Sequence, residues 1–339
     1  MTRTEQVIVR AARPGEGARV AALWRELWDA HERWGGYPGS RDPAVYAQVA
    51  GRLDDDARIR SGHVLLGRHA HLVAELNGRP CGQVEGWLEQ LGSSGSCPMT
   101  CEVRSLIVGE RARRVGAGRA LLRGLADAAG ARSVGSPCVL AAEVLEPNPA
   151  HAFYGRVGFA PVSWSARIDA ATGPTAAAVG VGARLAVAHD ALAIARLEAT
   201  LAARRRAAGD LRFDRPKAVD ATLVQAIAAH LVGDAGDPVT LVAVDAGGNI
   251  RATASFTVQL LEPPFLPLKR ALLGRFATDP AHSAHPLVGA LVSLGCRMAL
   301  ASGARSVELV DLSAPGSELY DAALAAGATP WSRVVTKLA

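Results

Sequence analysis

Lysine and aromatic residues are scarce in this sequence. Lysine occurs three times among 37 basic residues, and Phe, Trp and Tyr together make up 5% of the chain. Alanine, glycine and arginine are abundant instead. This usage is typical of a GC-rich, bacterial genome, so the excess of arginine does not by itself indicate a nucleic-acid partner.

The five cysteines lack the arrangement of a metal site. None forms a C-x-x-C pair or stands near histidines at zinc spacing, and their number is odd. His282 and His285 have no evident third ligand. We therefore expect reduced thiols, no bound metal and a cytoplasmic protein.

Long apolar runs are absent as well. No segment approaches 18 uninterrupted apolar residues, and the stretch from Met1 to Arg13 carries charges where a signal peptide has its apolar core. The net charge of +5 is spread along the chain without a basic stripe. These features argue against a membrane span, secretion and a nucleic-acid partner.

The remaining composition is that of a globular protein with two domains. Apolar residues make up 49% and charged residues 20% of the 339 positions. Because a domain usually contains roughly 100 to 200 residues, this length favours two domains over one.

Periodicity in the first half predicts the element order β-α-α-β-β-β-α-β-α-β. Apolar residues between Val20 and Trp28 have helical spacing, and Asn77-Gly78 separates two strands as a type I′ hairpin turn does. The predicted elements, in order, are strand Val7–Ala11, helices around Val20–Trp28 and Pro43–Leu53, strands His71–Leu76, Cys81–Leu88 and Cys101–Val108, helix Gly118–Gly130, strand Cys138–Leu145, helix Ala150–Val157 and strand Val162–Ile168.

The second half repeats this pattern. The hairpin beginning at His71 recurs at Thr240, and the Gly-Phe-Ala-Pro of Gly158 recurs as Gly-Ala-Thr-Pro at Gly327, at an offset close to 169 residues. A repeat of this size indicates two copies of one fold. We predict a first domain at 1–168, a flexible linker at 169–180 and a second domain at 181–339.

One segment has the form of a phosphate-binding turn. The strand ending at Val108 leads into a turn with Gly116 and Gly118 and then directly into a helix. The backbone amides at such a helix start favour an anion, and glycine lets phosphate approach closely. Arg111, Arg113, Arg114 and Arg119 could pair with phosphate oxygens.

This turn resembles a motif of the GNAT superfamily of N-acetyltransferases. The pattern Arg113-x-x-Gly116-x-Gly118 follows the strand residue Val108 by five positions, as it does in that family. The stretch from Ala150 to Phe159, with Phe153-Tyr154 and a closing Gly-Phe, is similar to the family's later motif. The resemblance implies an α/β (α+β mixed-sheet) fold, in which two tandem GNAT-like domains each have a twisted, mostly antiparallel sheet with flanking helices.

The resemblance also implies a coenzyme site. Acetyl-CoA would be the co-substrate, with its pyrophosphate on the backbone amides and its pantetheine arm along the strand before the turn. An asparagine usually lies seven residues before the family's tyrosine; here that position is Pro147, and Asn148 is one residue late. The coenzyme-binding residues that it implies are Leu106, Ile107, Val108, Arg113, Arg114, Val115, Gly116, Ala117, Gly118, Arg119, Asn148 and Phe153.

Two residues are implied as catalytic. Glu102 matches the position of a general base in some family members, and burial against Val103 and Leu106 would make it a stronger base; the alternative is a surface glutamate at a strand end. Tyr154 matches the tyrosine that protonates the departing thiolate; the alternative is a core aromatic beside Phe153.

The acceptor amine is expected near the end of the first helix or on the strand Gln83–Glu89. His31, Glu32, Trp34 and Tyr37 are the predicted substrate-binding residues, since a carboxylate and aromatic rings attract an ammonium group. Trp24 and Trp28 fit a core role better. No serine or cysteine nucleophile is arranged for catalysis, which favours direct transfer.

The second copy lacks this machinery in sequence. Ser283, Pro286 and Val288 stand where the first copy has Arg113, Gly116 and Gly118, and proline has no N–H to offer a phosphate. We predict that this copy is degenerate and that it walls the acceptor site or covers apolar surface of the first.

These observations together predict an acetyl-CoA-dependent N-acetyltransferase. Its acceptor would be the amine of a small polar metabolite or an antibiotic-like compound, with no nucleic-acid, membrane or metal partner, in a monomer or homodimer. Two alternatives stay open: acetylation of a protein or peptide amine, and a non-catalytic acyl-CoA-binding regulatory protein.

Overall fold

The computed structural model describes residues 6–62, 69–90, 99–133, 137–173, 180–213, 218–233 and 238–339. The chain forms two compact units. The first unit comprises Met1–Ala160, Glu262–Pro267 and Val335–Ala339. The second unit comprises Pro161–Leu261 and Leu268–Val334. Two short segments of the second half of the sequence therefore count with the first unit.

The predicted element order is confirmed along the chain; the elements of the first unit are the first nine of it, and the tenth, the strand Ala160–Asp169, counts with the second unit from Pro161 onward. The first nine are β1 (Val7–Ala11), α1 (Gly17–Arg33), α2 (Pro43–Gly62), β2 (His69–Leu76), β3 (Arg79–Gln90), β4 (Met99–Val108), α3 (Ala117–Gly130), β5 (Cys138–Leu145) and α4 (Ala150–Arg156). Helix α2 runs nine residues past its predicted end at Leu53. Its apolar spacing fades in the charged stretch after that residue, and this made the end hard to predict.

The first unit's sheet has the strand order β1-β2-β3-β4-β5. The first four strands pair antiparallel, and β4 pairs parallel with β5. The Asn77-Gly78 turn between β2 and β3 has φ values of 53° and 75°, as a type I′ turn requires. Beyond β5, the backbone N–H of Ala339 donates to the carbonyl of Cys138 at 2.9 Å.

Helices cover both faces of this sheet. Helix α3 contributes Leu121 and Leu125 to a core that includes Cys101 and Val103 of β4. On the other face, α1 and α2 bury Trp24 and neighbouring aliphatic side chains against Val73 of β2. Alternate residues of β3 and β4 therefore face different helices, and polar side chains on the α1 side are separated from the α3 core.

The elements of the second unit are β6 (Ala160–Asp169), β7 (Gly182–Leu185), α5 (Ala191–Ala207), α6 (Ala221–Val232), β8 (Val239–Val244), β9 (Ile250–Leu260), β10 (Lys269–Thr278), α7 (Ala284–Ala301), β11 (Ser306–Leu312), α8 (Glu318–Ala325) and β12 (Thr329–Leu338). Six of its seven described strands lie in the order β6-β11-β10-β9-β8-β7. Both units thus contain mixed, mostly antiparallel strands with flanking helices, and the predicted fold class is confirmed.

The predicted domain boundaries were derived from the repeat in the sequence, and they stay a prediction. In the compact units, β6 counts with the second unit from Pro161 onward, and the last residues of β12 count with the first. The predicted linker lies partly outside the described residues, which resume at Gly180.

Helix α7 is the one described helix with the length and apolar composition of a membrane span. It packs in the second unit against strands β7 to β11 and helix α8. Leu287, Val288 and Leu291 are almost fully buried there. This packing accounts for the apolar composition as that of a core helix.

Candidate active site

Strands β4 and β5 separate partway along their length. Their parallel ladder pairs Met99 with Cys138 and ends at the pair Glu102–Ala141. Just beyond, Ser105 has φ = 51°, and the β3–β4 register shifts between Gln83 and Glu85. A bulge of this kind bends a strand away from its neighbour. The bulge therefore precedes Leu106, Ile107 and Val108, the residues predicted to bind the pantetheine arm.

The turn after β4 presents an open helix start. Arg114 and Gly116 have φ values of 70° and 91°, and α3 begins at Ala117. No atom lies within 4 Å of the position that a Cβ on Gly116 would occupy. The first amides of a helix lack intrahelical partners and carry a partial positive charge. The backbone from Val115 to Arg119 therefore suits a pyrophosphate in shape and in charge.

Arg113 makes contacts that the sequence did not predict. Its guanidinium donates to Glu26 of α1 at 3.0 Å and to the carbonyl of Val108 at 3.1 Å. These bonds tie the turn to α1 and to the end of β4. The side chains of Arg111, Arg114 and Arg119 are exposed around the same turn. Contact of these arginines with phosphate stays a prediction.

Gly118 has a packing role beside its predicted one. A Cβ at this position would lie 3.1 Å from the ring of Phe153. Glycine here allows α3 to approach α4 closely, and Phe153 fills the space that a side chain on Gly118 would need. Phe153 is therefore fixed by packing next to the turn.

Glu102 is not buried, contrary to the sequence-based expectation. Its side chain is 41% exposed and accepts a hydrogen bond from Arg104 at 2.5 Å. The expected contacts fail because strand alternation sends Val103 to the α3 core and Glu102 to the opposite face. On that face Glu102 lies opposite Trp87 of β3. Its role as a base stays a prediction, without burial to support it.

Tyr154 lies in the core of the first unit and is 7% exposed. Its ring packs edge-on against Phe159 and Phe153. The same cluster contains Val103 of β4 and Val144 of β5, which belong to the two separating strands. Burial raises the pKa of the Tyr154 phenol above its ordinary value, so the hydroxyl keeps its proton at neutral pH. Tyr154 can therefore pack in the core and also act as a proton donor.

Asn148 lies just before Pro149, the N-cap residue of helix α4. Its side-chain oxygen accepts a hydrogen bond from the backbone N–H of Ala150 at 2.9 Å, and the residue is 9% exposed. This bond satisfies one of the free donors at the helix start. The side chain is occupied by this bond, and its predicted contact with pantetheine stays a prediction.

Aromatic rings gather at the end of α1. His31 packs edge-on against Trp28 at 5.1 Å and lies 5.7 Å from the Trp34 ring, measured between ring centres. A Cβ on Gly36, in the loop that follows, would lie 3.1 Å from Leu145 at the end of β5. The predicted residues His31, Trp34 and Tyr37 therefore lie on and after α1, in a loop that touches the strand next to β4.

Glu32 lies beside these rings on a charged surface. It accepts a hydrogen bond from Arg41 at 3.0 Å, and Asp29 pairs with the same guanidinium at 3.5 Å. Together with Arg33 they line an open cavity of about 420 Å³. Because Arg33 and Arg41 offset the two carboxylates, this cavity does not select strongly for an ammonium group.

We expect the His31 ring to stay neutral down to acidic pH. Burial lowers its pKa to about 4, whereas an unfolded histidine has a pKa of about 6.5. Between these values the unfolded chain binds the extra proton, so stability falls as the pH drops from about 6.5 to about 4. Between about pH 6.5 and about pH 4, the unfolding temperature of His31→Gln should fall less than that of the parent protein. An equal fall in both proteins would contradict the lowered pKa of His31.

Two buried polar pairs on the α1 side of the sheet were missed in the sequence. Nε2 of His69 lies 3.2 Å from Glu85, and Nε2 of His71 lies 2.7 Å from Gln83. Gln83 also donates to the carbonyl of the bulge residue Ser105 at 2.6 Å. Alternating polar residues in a strand hairpin were the available clue, since residues two apart share a face.

The second unit has a bulge at the corresponding place in β10 but has other residues in place of the polar and charged side chains around it. Arg275 of β10 has φ = 53°, and the β10 register shifts next to it. The cross-strand pair Leu272–Thr257 occupies the place that Glu102–Trp87 has in the first unit.

The neighbouring pairs differ in the same way. Gly274 faces Ser255 where Arg104 faces Glu85, and Thr240 faces Ser255 where His71 faces Glu85. Smaller side chains open a cavity of about 390 Å³ on this face of the second unit. After β10, helix α7 begins at Ala284 and carries Pro286 in its first turn. The described residues of the second unit thus lack counterparts of Glu102, Arg104, Glu85 and His71.

No metal centre accompanies either site in the part of the chain that the structure describes. Among these residues, no group of three or more His, Cys, Asp or Glu side chains could hold a metal ion. His282 lies 3.2 Å from Asp279 and forms no larger cluster there.

Comparison with known proteins identifies the family. Residues 22–159 match the acetyltransferase (GNAT) family. The match covers β4, the glycine turn, α3, β5 and α4, and therefore the turn and the separating strands of the first unit. No curated protein matches the chain.

Solved structures with the same fold cover nearly the whole chain. A GCN5-related N-acetyltransferase from Sphaerobacter thermophilus is 17% identical with a TM-score of 0.57, and the alignment covers 98% of this chain and 95% of that one. A glucosamine N-acetyltransferase region of a fungal multi-domain β-N-acetylglucosaminidase is 12% identical with a TM-score of 0.56, covering 99% and 38%. A tandem GNAT protein from the clavulanic acid biosynthesis pathway is 20% identical with a TM-score of 0.49, covering 98% of each chain. Residues 22–159, which make up most of the first unit, therefore belong to the acetyltransferase (GNAT) family.

Proposed function

We propose that this protein transfers an acetyl group from acetyl-CoA to the amine of a small polar metabolite or antibiotic-like compound. The observation that carries the proposal is the combination, in the first unit, of the separated β4 and β5 strands with the open helix start at Gly116. Acetyl-CoA consists of an extended pantetheine arm and a pyrophosphate. The gap suits the arm, and the free amides suit the pyrophosphate.

Residues of the first unit would divide the chemistry as follows. Backbone amides from Val115 to Arg119 would hold the pyrophosphate. Glu102 would take a proton from the acceptor ammonium, directly or through water, so that the nitrogen lone pair attacks the thioester carbonyl carbon. As the carbon–sulfur bond breaks, Tyr154 would donate its proton to the sulfur. The nitrogen then loses its second proton through water to the Tyr154 phenolate, and Glu102 releases the first proton to solvent. The products are an amide, free coenzyme A and one proton.

Release of free coenzyme A thiol with a panel of candidate amines tests this proposal. Turnover with small amines supports the proposal. Turnover confined to peptide or protein amines would show that the acceptor is a peptide or a protein and not a small molecule. Tight binding of acetyl-CoA without turnover over a broad panel would favour a regulatory protein and contradict the enzyme assignment.

Hydrogen exchange with bound acetyl-CoA should locate the coenzyme in one unit. We expect slowed exchange of the backbone amides from Leu106 to Arg119, because these residues contain the strand and turn that would contact the ligand. The corresponding stretch from Thr278 to Gly289 should exchange at the same rate with and without acetyl-CoA. Protection of that second stretch would show that our choice of unit is wrong.

A further inference from the structure

The segment Glu262–Pro267 stands in the second half of the sequence and counts with the first unit. Two backbone hydrogen bonds attach it to the loop after α1. Ser40 donates to the carbonyl of Pro264 at 2.7 Å, and Leu266 donates to the carbonyl of Pro38 at 3.0 Å. Between these bonds, Gly39 and Phe265 form an antiparallel bridge. The segment therefore pairs with the loop as a short extra strand, which we call the inserted segment.

The inserted segment places one aromatic ring on the acceptor side of α1. The ring centre of Phe265 lies 4.5 Å from that of Trp28 and 6.4 Å from that of Tyr37. Trp28 in turn packs against His31. Contacts of this length are typical of aromatic pairs that attract each other. The four rings are each half-buried and so leave part of their surface accessible.

This ring cluster carries no net charge at neutral pH. Burial lowers the pKa of His31 to about 4, and the other three rings do not ionise near pH 7. The indole N–H of Trp28 is buried, and no described residue accepts a hydrogen bond from it. The accessible part of the ring cluster is therefore apolar and suits a flat apolar group.

The cluster also lies close to the strands that separate. The loop that contains Tyr37 touches Leu145 at the end of β5 through Gly36. The ring cluster therefore lies on a loop that contacts β5, one of the two strands that separate.

We propose that Phe265 of the inserted segment forms part of the acceptor site and selects acceptors with an aromatic or other flat apolar body next to the amine. This inference rests on the proposed function for its reaction and on the ring contacts for its ligand class. The charged cavity at Asp29 and Arg41 then contributes little to selection, because its charges offset one another.

Two amine probes with similar reacting groups test the selection. Phenethylamine carries a ring and n-propylamine does not. We expect the protein to acetylate phenethylamine with a kcat/KM at least tenfold above that for n-propylamine. In Phe265→Ala this ratio should fall to about one, while the KM for acetyl-CoA stays unchanged. Phe265→Leu keeps most of the apolar volume without the ring and should give an intermediate ratio.

Leu266→Ala is the matched control, because it truncates an exposed apolar side chain of the same segment. It should leave the ratio unchanged. An equal ratio in the parent protein, Phe265→Ala and Leu266→Ala would overturn the selection by Phe265. If the three proteins acetylate other amines in that experiment, the proposed function survives.

Binding without turnover separates the two proposals. Saturation-transfer NMR of phenethylamine in the presence of a non-transferable acetyl-CoA analogue should give a signal with the parent protein and Leu266→Ala and none with Phe265→Ala. That result without acetylation of any amine would support the aromatic site and contradict the proposed function. Absence of a signal with the parent protein would overturn the aromatic site. Circular dichroism of each variant shows whether the fold is intact.

Discussion

Gly116→Val is expected to weaken the binding of acetyl-CoA roughly 10- to 100-fold, which corresponds to about 1.4–2.8 kcal/mol. The space next to Gly116 is open, and the proposal places the pyrophosphate there. A valine side chain would fill that space. The β-branched side chain of valine also disfavours the φ of 91° at this residue, so the amides of the turn would move from their present directions. Isothermal titration with acetyl-CoA measures the effect.

Gly303→Val is the matched control for this substitution. Gly303 follows α7 in the second unit, has φ = 82° and also has no atom within 4 Å of its Cβ position. The two variants should therefore lose similar stability, since both force valine into the left-handed region. Only Gly116→Val should lose affinity for acetyl-CoA. Equal affinities in the two variants would count against a coenzyme site at this turn.

The fold was largely predictable because its signals are local. The period of apolar residues predicted α1, and Asn77-Gly78 predicted the β2–β3 hairpin with its positive φ values. The repeat near 169 residues predicted a second unit of the same type. The end of α2 was predicted too early because charged residues from Asp54 onward mask the helical period.

The glycine turn was also predictable, because its conformation depends on residues next to one another. The bulge at Ser105 was not predicted, since it is a mismatch in register between β3 and β4 and leaves no mark in the β4 sequence alone. The surroundings of Glu102 were misjudged for a related reason. Alternation along β4 decides which face a side chain takes, and Glu102 faces Trp87 and Arg104 in place of the core.

Long-range contacts lay beyond sequence reasoning altogether. The pairing of Gly39 with Phe265 joins positions more than 200 residues apart, and neither stretch has a period or a motif that would suggest it. Arg113 with Glu26 is a second case. The position of the Phe265 ring next to the candidate acceptor site is therefore visible only in the three-dimensional structure.

The second unit shows which features of the first belong to the fold and which belong to the site. It keeps the positive-φ bulge, at Arg275, while Leu272 and Gly274 replace Glu102 and Arg104 on the same face. A bulge retained in both units is explained by the architecture. Polar and titratable groups present in one unit alone are not required by the fold, and this favours a functional role for them in the first unit.

Tyr154→Phe is expected to lower kcat roughly 100-fold at pH 7, a typical loss when a general acid is removed. The substitution deletes only the hydroxyl, so the packing against Phe159 and Phe153 should survive. Because burial raises the pKa of this phenol, the parent enzyme should keep the donor protonated up to at least about pH 10, the ordinary pKa of tyrosine. Tyr154 should therefore cause no fall in kcat below that pH.

Tyr320→Phe provides the matched control, since Tyr320 of α8 is also buried, at 5% exposed. It should leave kcat unchanged. Glu102→Gln should lower kcat at pH 7 without changing the affinity for acetyl-CoA, because the carboxylate would act on the acceptor. Stopped-flow measurement of coenzyme A release separates the chemical step from product release in each variant. If Tyr154→Phe and Tyr320→Phe both retain the parent kcat, the Tyr154 hydroxyl is not the acid, its ring has a packing role, and the thiolate takes its proton from water.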